Sequence, residues 1–439
     1  MKARIISALA ICTLTGMALH AAETETTATE QPENSDNKKV AVILPFTSAY
    51  DAEVAGAASA SAMSKTESSP KLKITPSGRV LADAAVYAPD GNGLTDGFAV
   101  PDLRVGVKAE FGKWLAKVDV GFGGFKFSPK DVYIQYTFNE HNLLRGGYFV
   151  HQFGLQSCSS SSFKAAIEAP TSDTYLNATG RNLGLMYVLD KPKFFWGVSA
   201  VFGNVDDLTA NKVTRVNVGG ITRLVWRPIA REGAVAQVGI SAWYQSPMYK
   251  STNPGGKGEV NLSANFPTRV SKVKMLAADI SYAGNQVKIS PELLLSYDRF
   301  ALETQYYYSN IRQHRGLGSN TVQGAYAWLR CLLFGDTQYK YSHADAGLAT
   351  PTKKTLEIVA GYDYTNAGKY KQFDENGQIQ QIRAGISNEA SVTLNYYINK
   401  YLLCRLGWRY VTAHDSQALA AFNGRRHVNI IQARIQFKF

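Results

Sequence analysis

The sequence predicts an all-β protein, a transmembrane antiparallel β-barrel of about 16 strands (18 is the alternative), preceded by a short flexible N-terminal segment. Three observations lead to this fold class. From Lys71 to the last residue, segments of about ten residues alternate polar with apolar side chains. Only 19% of the residues are charged, whereas 11% are aromatic. Beyond the N-terminus no window offers the roughly 20 consecutive apolar residues of a membrane helix.

The first 22 residues have the pattern of a secretory signal peptide. Lys2 and Arg4 supply the positive start, Ile5 to Met17 the apolar stretch, and Ala21 and Ala22 the small residues at which a peptidase cuts. The mature chain is therefore predicted to be exported.

Residues 23–70 form a leader that is acidic and rich in Ala, Ser and Thr, a composition typical of a flexible segment. The whole chain has 47 bases and 35 acids. Two bases fall in the signal peptide, and three bases and eight acids in the leader, which leaves 42 bases against 27 acids for residues 71–439. The predicted barrel domain, residues 71–439, is thus strongly basic.

Seventeen candidate strands begin near residues 72, 102, 114, 128, 142, 181, 194, 213, 235, 270, 285, 300, 321, 355, 390, 401 and 428. Bacterial barrels have an even number of strands because both termini lie on the periplasmic side. The lysine-bearing segment near residue 270 fits the pattern least well, so 16 strands are predicted. A barrel of that width keeps an aqueous lumen, which predicts conduction.

The connections between the strands are unequal, and in such barrels short turns face the periplasm and long loops face outside. This rule places four long connections outside: Leu155–Gly180, Pro247–Pro267, Tyr339–Lys354 and Asn366–Asn388. The first of these contains the candidate constriction residues Lys164, Glu168 and Asp173. Composition leaves open whether it folds inward to narrow the pore or covers the outer mouth.

The strand face opposite the apolar stripe is predicted to line the pore. Its bases are Arg104, Lys108, Lys117, Arg145, Arg215, Arg223, Arg227, Arg405, Arg409 and Arg434. Its acids are Asp102, Glu110, Asp119, Asp131, Glu303, Glu357 and Asp363. Rings of charge select the sign of a permeating ion, so this excess of bases predicts a weak preference for anions. Arg215, Arg223 and Arg227 are predicted to point the same way along one wall.

Six motifs occur in the order and spacing of a known family: Arg104–Lys108, Lys130–Tyr136, Phe153–Leu155, Arg181–Gly184, Val392–Asn399 and Gln432–Phe439. As a set they resemble the phosphate-selective porin O/P family of Gram-negative outer membranes, over almost all of residues 71–439. The resemblance implies a sixteen-stranded outer-membrane porin, commonly a homotrimer, with a basic lumen and an inward-folded third loop.

The chain departs from the family at the expected anion site. Pro101 and Asp102 stand where such porins typically carry two arginines, and Ala169-Pro170 stands where an arginine often follows the glutamate of the third loop. The expectation is therefore passive diffusion of small anionic or polar solutes, with mild preference for phosphate or other anions rather than strict phosphate selectivity.

The last strand ends on an aromatic residue. Ile435, Phe437 and Phe439 share one face and look like the signal that the outer-membrane assembly machinery reads. That machinery, outer-membrane lipid and lipopolysaccharide are the expected partners.

Two alternatives stay open: a gated, substrate-specific channel, and an outer-membrane barrel enzyme that uses residues such as His414, Asp415 and Ser416. No nucleic-acid partner is expected, since an exported chain without a helical or zinc motif gives that function little support. No cofactor or metal is expected either, because the seven histidines are scattered and the three cysteines left after cleavage form no CxxC pair.

Overall fold

The computed structural model describes residues 70–89, 93–158, 164–176, 180–203, 213–250 and 257–439 and places sixteen strands in one closed antiparallel barrel. The barrel strands are β1 Lys73–Ala88, β2 Gly97–Phe111, β3 Trp114–Gly121, β4 Ser128–Asn139, β5 Asn142–Phe149, β6 Asn182–Lys191, β7 Phe194–Val201, β8 Gly219–Arg231, β9 Ala234–Gln245, β10 Ala283–Tyr297, β11 Phe300–Gln313, β12 Ser319–Phe334, β13 Thr355–Asn366, β14 Ile386–Tyr397, β15 Leu402–His414 and β16 Arg426–Lys438. Two short α-helices, α1 Gly154–Cys158 and α2 Thr171–Leu176, lie between β5 and β6.

The predicted signal peptide and the predicted leader, except Pro70, fall outside the described residues. Among the described residues, no helix is long and apolar enough to cross a membrane.

The barrel is closed by pairing between its first and last strands. The register of β1 on β16 runs from Arg79 opposite Lys438 to Ala88 opposite Asn429. Beyond it, Gly78 and the terminal Phe439 exchange backbone hydrogen bonds of 2.9 and 3.0 Å. The Phe439 ring lies 2.5 Å from where a Cβ of Gly78 would stand, so a larger residue there would displace the ring. The last residue of the chain is thus part of the closure.

The period-2 pattern separates an outward face from a lumen face, as the last strand shows. Ile431, Ile435 and Phe437 point outward and are partly exposed. Gln432 and Arg434 alternate with them and are buried inside the barrel. This arrangement confirms the predicted all-β transmembrane barrel.

The strand number is sixteen, and the segment near residue 270 accounts for the seventeenth candidate. Lys274–Ser281 belongs to a separate four-stranded sheet with Gly258–Asn265, Met248–Lys250 and Val213–Arg215. Two small hairpins, Tyr341–Ser342 with Gly347–Leu348 and Lys369–Phe373 with Ile379–Arg383, also stand apart from the barrel.

Six connections at the end where β1 starts have only two to four residues, which identifies the periplasmic end. The connection between β12 and β13 is at the same end, although it spans residues 335–354. Tyr339 O accepts a hydrogen bond of 3.0 Å from Gly233 N, and Lys340 pairs with Glu232 at 3.5 Å. Both partners belong to the short β8–β9 turn, so these contacts fix the position of the segment.

The external placement of Tyr339–Lys354 predicted from its length was therefore wrong. In an antiparallel barrel, the parity of the preceding strand decides at which end a connection lies, and its length has no influence.

We expect a charged side chain on the outward face near mid-strand to lower the free energy of unfolding far more than one near a strand end. Val392 lies outward at the middle of β14 and faces Trp408 and Ala360. The substitution Val392→Lys should lower the free energy of unfolding by about 2–4 kcal/mol. Val392→Leu, the matched control, should stay within about 1 kcal/mol of the parent. Urea unfolding in lipid vesicles measures both, and equal stability of the two variants would contradict the outward assignment.

Candidate functional site

Two chain segments enter the lumen, one from each end of the barrel. We call residues 150–158, 164–176 and 180–181, the described residues between β5 and β6, the inward loop, and residues 335–354, between β12 and β13, the inward turn. The residues of both segments, together with the inner faces of the strands, form the candidate functional site.

Successive peptide carbonyls hold the inward loop to the wall of β14, β15 and β16. Asn395 Nδ2 donates to Ala165 O (2.7 Å), Arg405 Nη1 to Ala166 O (3.0 Å), Arg434 Nη1 to Ile167 O (2.6 Å) and Arg409 Nη2 to Glu168 O (3.0 Å). Because the acceptors are backbone atoms, the wall residues determine this docking more than the loop side chains do.

Glu168 connects the inward loop to two arginines. Its Oε2 accepts from Arg269 Nε at 3.0 Å, and its Oε1 accepts from Arg434 Nη2. Burial alone would raise the pKa of Glu168, but the charges of Arg269 and Arg434 hold that pKa down at about 2. Arg434 also contacts both carboxylate oxygens of Asp83 at 2.6 Å. The carboxylate of Glu168 is therefore ionised at every physiological pH.

Helix α2 rests on the inner faces of β11, β12 and β13. Thr171 donates its hydroxyl to Glu389, and Ser172 donates both its hydroxyl and its backbone N–H to Asp363. Asp173 accepts a 2.7 Å hydrogen bond from Tyr307 Oη. The alternative of a loop that covers the outer mouth does not fit these contacts, because all three partners lie on the lumen face.

The three candidate constriction residues have different partners. Glu168 and Asp173 make the wall contacts described above. Lys164 Nζ donates to the carbonyl and the side-chain oxygen of Gln156 at 2.7 and 3.0 Å, within the inward loop itself.

The inward turn carries its tip deep into the lumen. Ala346 is fully buried and packs in a cluster that includes Tyr133, Phe149 and Phe195 on the inner wall. Its carbonyl accepts from Gln237 Nε2 at 2.9 Å. The tip is therefore seated on an apolar patch of the strands and fixed there by hydrogen bonds.

Arg223 joins the two inward segments. Its guanidinium donates to Gln152 Oε1 of the inward loop (3.0 Å) and to the carbonyls of Asp345 and Ala346 in the inward turn (3.2 and 3.1 Å). Glu292 balances its charge at 2.7 Å, and both side chains are fully buried. We call this group of contacts the Arg223 junction.

Seven of the ten predicted pore bases are buried on the lumen wall: Lys108, Lys117, Arg223, Arg227, Arg405, Arg409 and Arg434. Six pair with a carboxylate: Lys108–Glu110 (3.2 Å), Lys117–Asp119 (3.3 Å), Arg223–Glu292 (2.7 Å), Arg227–Asp190, Arg409–Glu389 (2.9 Å) and Arg434–Asp83 (2.6 Å). A compensated pair adds little net field, so these bases mainly order the lumen.

Arg215 lies elsewhere, and the predicted ladder of three arginines is reduced to two. Arg215 ends the short strand Val213–Arg215 of the four-stranded sheet, and its guanidinium lies 5.4 Å from the centre of the Tyr249 ring. The strand that carries Arg223 and Arg227 begins only at Gly219. The β-strand is interrupted between Arg215 and Gly219. The alternation of one continuous strand, on which the prediction depended, therefore does not extend to Arg215.

The remaining predicted bases, Arg104 and Arg145, are partly exposed. Arg104 pairs with Asp102 at 3.3 Å. Arg145 donates Nε and Nη2 to the neutral Gln135 Oε1 at 3.1 and 2.7 Å and lies over the Tyr133 ring. Arg145 therefore keeps an uncompensated charge within the part of the chain that the structure describes.

Three more partly exposed bases face this region, and the parity argument missed all three. Lys130 turns inward because the β3–β4 register shifts at Val118/Val120, which places its Cε beside Gly121. Arg181 and Arg269 lie outside the barrel strands; Arg181 contacts Asp131 at 2.6 Å. We call Arg104, Lys130, Arg145, Arg181 and Arg269 the basic wall.

Two buried bases were also missed, although alternation along the strand identifies them. Arg79 on β1 pairs with Asp102, and Arg330 on β12 pairs with Glu357 at 2.9 Å. Their strands are long and regular, and each arginine stands next to an outward apolar residue, Val80 or Leu329, so period-2 alternation places both on the lumen face.

Comparison with known proteins gives one family match and many structural matches. The family model described as phosphate-selective porin O and P matches residues 75–439. The anion-selective porin from Comamonas acidovorans is 12% identical, with a TM-score of 0.52, over 84% of this chain and 100% of that chain. In-vitro-folded OmpT, an outer membrane protein of Vibrio cholerae, is 10% identical, with a TM-score of 0.52, over 86% and 100%. No curated protein sequence matches.

We expect Glu168→Gln to weaken the docking of the inward loop. The pKa of Glu168 lies below its ordinary value of 4.5, at about 2, so its ion pairs stabilise the folded protein fully above pH 4.5. That stabilisation, about 3 kcal/mol, is lost as pH falls from 4.5 to 2. The stability difference between parent and variant should be constant from neutral pH to pH 4.5 and shrink below it. Glu140→Gln, at an exposed periplasmic turn, is the control, and a pH-independent difference for Glu168→Gln would contradict the assignment.

Deleting residues 341–348 should widen the passage. The other periplasmic connections have two to four residues, so the barrel itself tolerates a shorter connection. Single-channel conductance should rise by about twofold or more, since the tip no longer occupies the lumen. Deleting residues 374–378 at the tip of the external hairpin is the control. Unchanged conductance in the 341–348 deletion would show that the tip does not limit flow.

Proposed function

Because the chain belongs to the family of phosphate-selective porins O and P, and so forms a passive diffusion channel in the outer membrane, we propose that this channel passes small hydrophilic solutes with a mild preference for anions. The basic wall supports this selectivity. Its five bases are partly exposed, and the side chain of Arg269 is 34% exposed. The facing acid Asp131 is 18% exposed and shared by Arg181 and Lys117. Positive charge therefore predominates where solvent reaches the wall.

The preference is mild because acids offset part of the field. Asp102, at a position where an arginine is typical of the family, accepts from Arg79 and lies 3.3 Å from Arg104. It thereby replaces a positive charge with a negative one inside the basic wall. Phosphate or chloride can pass such a wall without a tight binding site. The Comamonas porin, similar in fold, is described as anion-selective, which agrees with this proposal.

The assignment of pore roles follows from exposure. Arg104 and Arg145 keep their predicted role as pore-lining bases, joined by Lys130, Arg181 and Arg269. Five of the buried bases position the inward loop or the inward turn: Arg223, Arg227, Arg405, Arg409 and Arg434. Glu168 and Asp173 act in the constriction by docking the inward loop on the wall, and Lys164 acts within that loop.

We propose a homotrimer, with the wall from β3 to β7 as the contact between subunits. β3, β5 and β7 have eight residues each. Eight residues at about 3.4 Å each, tilted by about 40°, give a height of about 21 Å, below the apolar band of about 25 Å. The outward face of these strands is shorter than the apolar band of the membrane. A neighbouring subunit would cover this face in place of lipid.

The outward face of β16 fits the proposed assembly signal. Ile435 and Phe437 are partly exposed on that face, and the Phe439 ring contacts Phe437 with ring centres 6.0 Å apart. Assembly machinery that reads the last strand would meet these side chains before closure with β1. Outer-membrane lipid and lipopolysaccharide would surround the other outward faces.

A gated, substrate-specific channel is the second candidate, and the Arg223 junction favours it. Segments from both ends of the barrel meet there, so a displacement of either segment would change the width of the passage. A catalytic role for His414, Asp415 and Ser416 has no geometric support, because Ser416 Oγ donates to Met275 O at 2.7 Å instead of facing a base.

We expect Lys130→Gln with Arg145→Gln to reduce anion preference. Neither base has a carboxylate partner among the described residues, so their removal subtracts net charge. Under an about tenfold KCl gradient, the reversal potential of the parent should favour chloride, and the permeability ratio should fall by about twofold in the variant. Arg312→Gln, which faces outward from β11, is the matched control.

A reversal potential that favours cations in the parent would overturn the proposed selectivity. An unchanged permeability ratio in the variant would show that the basic wall does not cause the selectivity. Phosphate titrated into chloride should not block the current. Block by low phosphate would instead indicate a specific phosphate site.

A further inference from the structure

The outer ends of β10 and β11 carry cations on the outward side of the barrel. Alternation along β11 places Tyr306, Tyr308 and Arg312 outward, and Arg312 is exposed. Arg312 is paired with Asn285 on β10 and Ser319 on β12. Among the outward residues nearer mid-strand, Val287 and Ile289 on β10 are apolar, whereas Asn310 on β11 and Gln323 on β12 are polar. Arg312 thus lies beyond a tyrosine pair where the outward face changes from apolar to polar, the level of lipid headgroups.

Two further cations share one aromatic ring just beyond Arg312. A hydrogen bond of 2.8 Å from His314 N to Tyr282 O continues the β10–β11 ladder. Lys257 Nζ lies 5.0 Å and Arg315 Cζ 4.6 Å from the centre of the Tyr282 ring. Arg315 Nη1 also donates to Tyr282 Oη at 3.4 Å. Three residues separate Arg315 from Arg312, so at about 3.4 Å per residue their backbones are at most about 10 Å apart along the strand direction.

The backbone at this contact is held in an unusual conformation. Tyr282 has φ 56° and Arg315 has φ 59°, the left-handed region that bulky residues rarely adopt. Such conformations persist where the surroundings impose them, and they cluster at ligand-binding sites. Phe373 packs edge-on against Tyr282 with ring centres 5.5 Å apart and so fixes the ring from a second side. The backbone conformation and the contact with Phe373 thus hold the cation-bearing surface in one arrangement.

Lys257, Arg312 and Arg315 pair with no carboxylate in the described parts of the chain. Two like charges over one ring repel each other, and an anion between them relieves the repulsion. Guanidinium groups match phosphate oxygens in a bidentate arrangement. We propose that Lys257, Arg312 and Arg315, with Tyr282 as the platform, bind the phosphate groups of a phosphorylated glycolipid in the outer leaflet.

The position of the cluster favours a lipid over a dissolved anion. Arg312 is on the outside of the barrel wall, above apolar residues that acyl chains would contact, and solutes that cross the lumen do not pass it. A lipid would contribute apolar contact along Val287 and Ile289 in addition to its phosphates. The inference rests on the outer-membrane location and on the long-loop end facing outside.

Native mass spectrometry of the full-length detergent-purified protein tests the site. The probes are diphosphorylated lipid A, its dephosphorylated derivative and inorganic phosphate. The parent should retain diphosphorylated lipid A, and Lys257→Gln with Arg312→Gln and Arg315→Gln should weaken retention by about tenfold or more. Lys191→Gln with Lys193→Gln and Arg231→Gln, exposed at the periplasmic end, is the matched control with an equal loss of charge.

The proposal would be overturned by unchanged retention in the first variant, by an equal loss in the control, or by displacement of the lipid by inorganic phosphate at similar concentration. Equal retention of the dephosphorylated lipid would do so as well. Should the triple variant not fold, Arg312→Lys with Arg315→Lys keeps the charge, removes the bidentate geometry and should give a smaller loss. Single-channel recording on the same samples separates this result from the channel proposal, since these residues lie outside the lumen.

Discussion

The pairing of β1 with β16 is the constraint on which the rest of the structure depends. In the bilayer, an unpaired backbone N–H or C=O has no water to bond, so a sheet can span it only when it has no edge. Here the closure extends to the final residue, through Gly78 and Phe439. A closed wall of sixteen strands fixes the width of the lumen and sends alternate side chains into it. The same closure thus creates both the lipid face and a crowded polar interior. The inward segments must supply hydrogen-bond partners for the polar groups of this interior.

Charge compensation inside the lumen is the second consequence of the closed barrel. Buried bases on the wall require acceptors, and the inward loop supplies them as peptide carbonyls and as the carboxylate of Glu168. Arg434 shows the principle, because Asp83 on the wall and Glu168 on the loop share its guanidinium. The arginine that looks like a pore charge in the sequence is therefore a docking residue in the fold. Only the bases that solvent reaches are left to act on ion selectivity in the proposed function.

The alternation of side chains made the barrel, its sixteen strands and the lumen face of Arg223 or Arg434 predictable. Three kinds of information were absent from that pattern. A β-bulge turned Lys130 inward against simple parity. Loop residues such as Arg269 reached the wall through tertiary contacts that no local period records. Residues 335–354 lie on the periplasmic side because strand parity, and not loop length, assigns the end. Local sequence determines the wall, whereas pairing inside the lumen depends on which segments meet there.

Conductance and selectivity are consequently separable properties of this lumen. The Arg223 junction is electrically balanced by Glu292 and occupies space, so it affects the passage through size. The basic wall is partly exposed, and its carboxylates are shared with further bases, so in the proposed function it acts through its field, which salt screens over about 10 Å at 0.1 M. A change at the junction should alter current for ions of both signs in proportion, while a change at the basic wall should alter their ratio. We therefore expect that the channel can be widened without becoming cation-selective, because the proposal assigns the two properties to different residues.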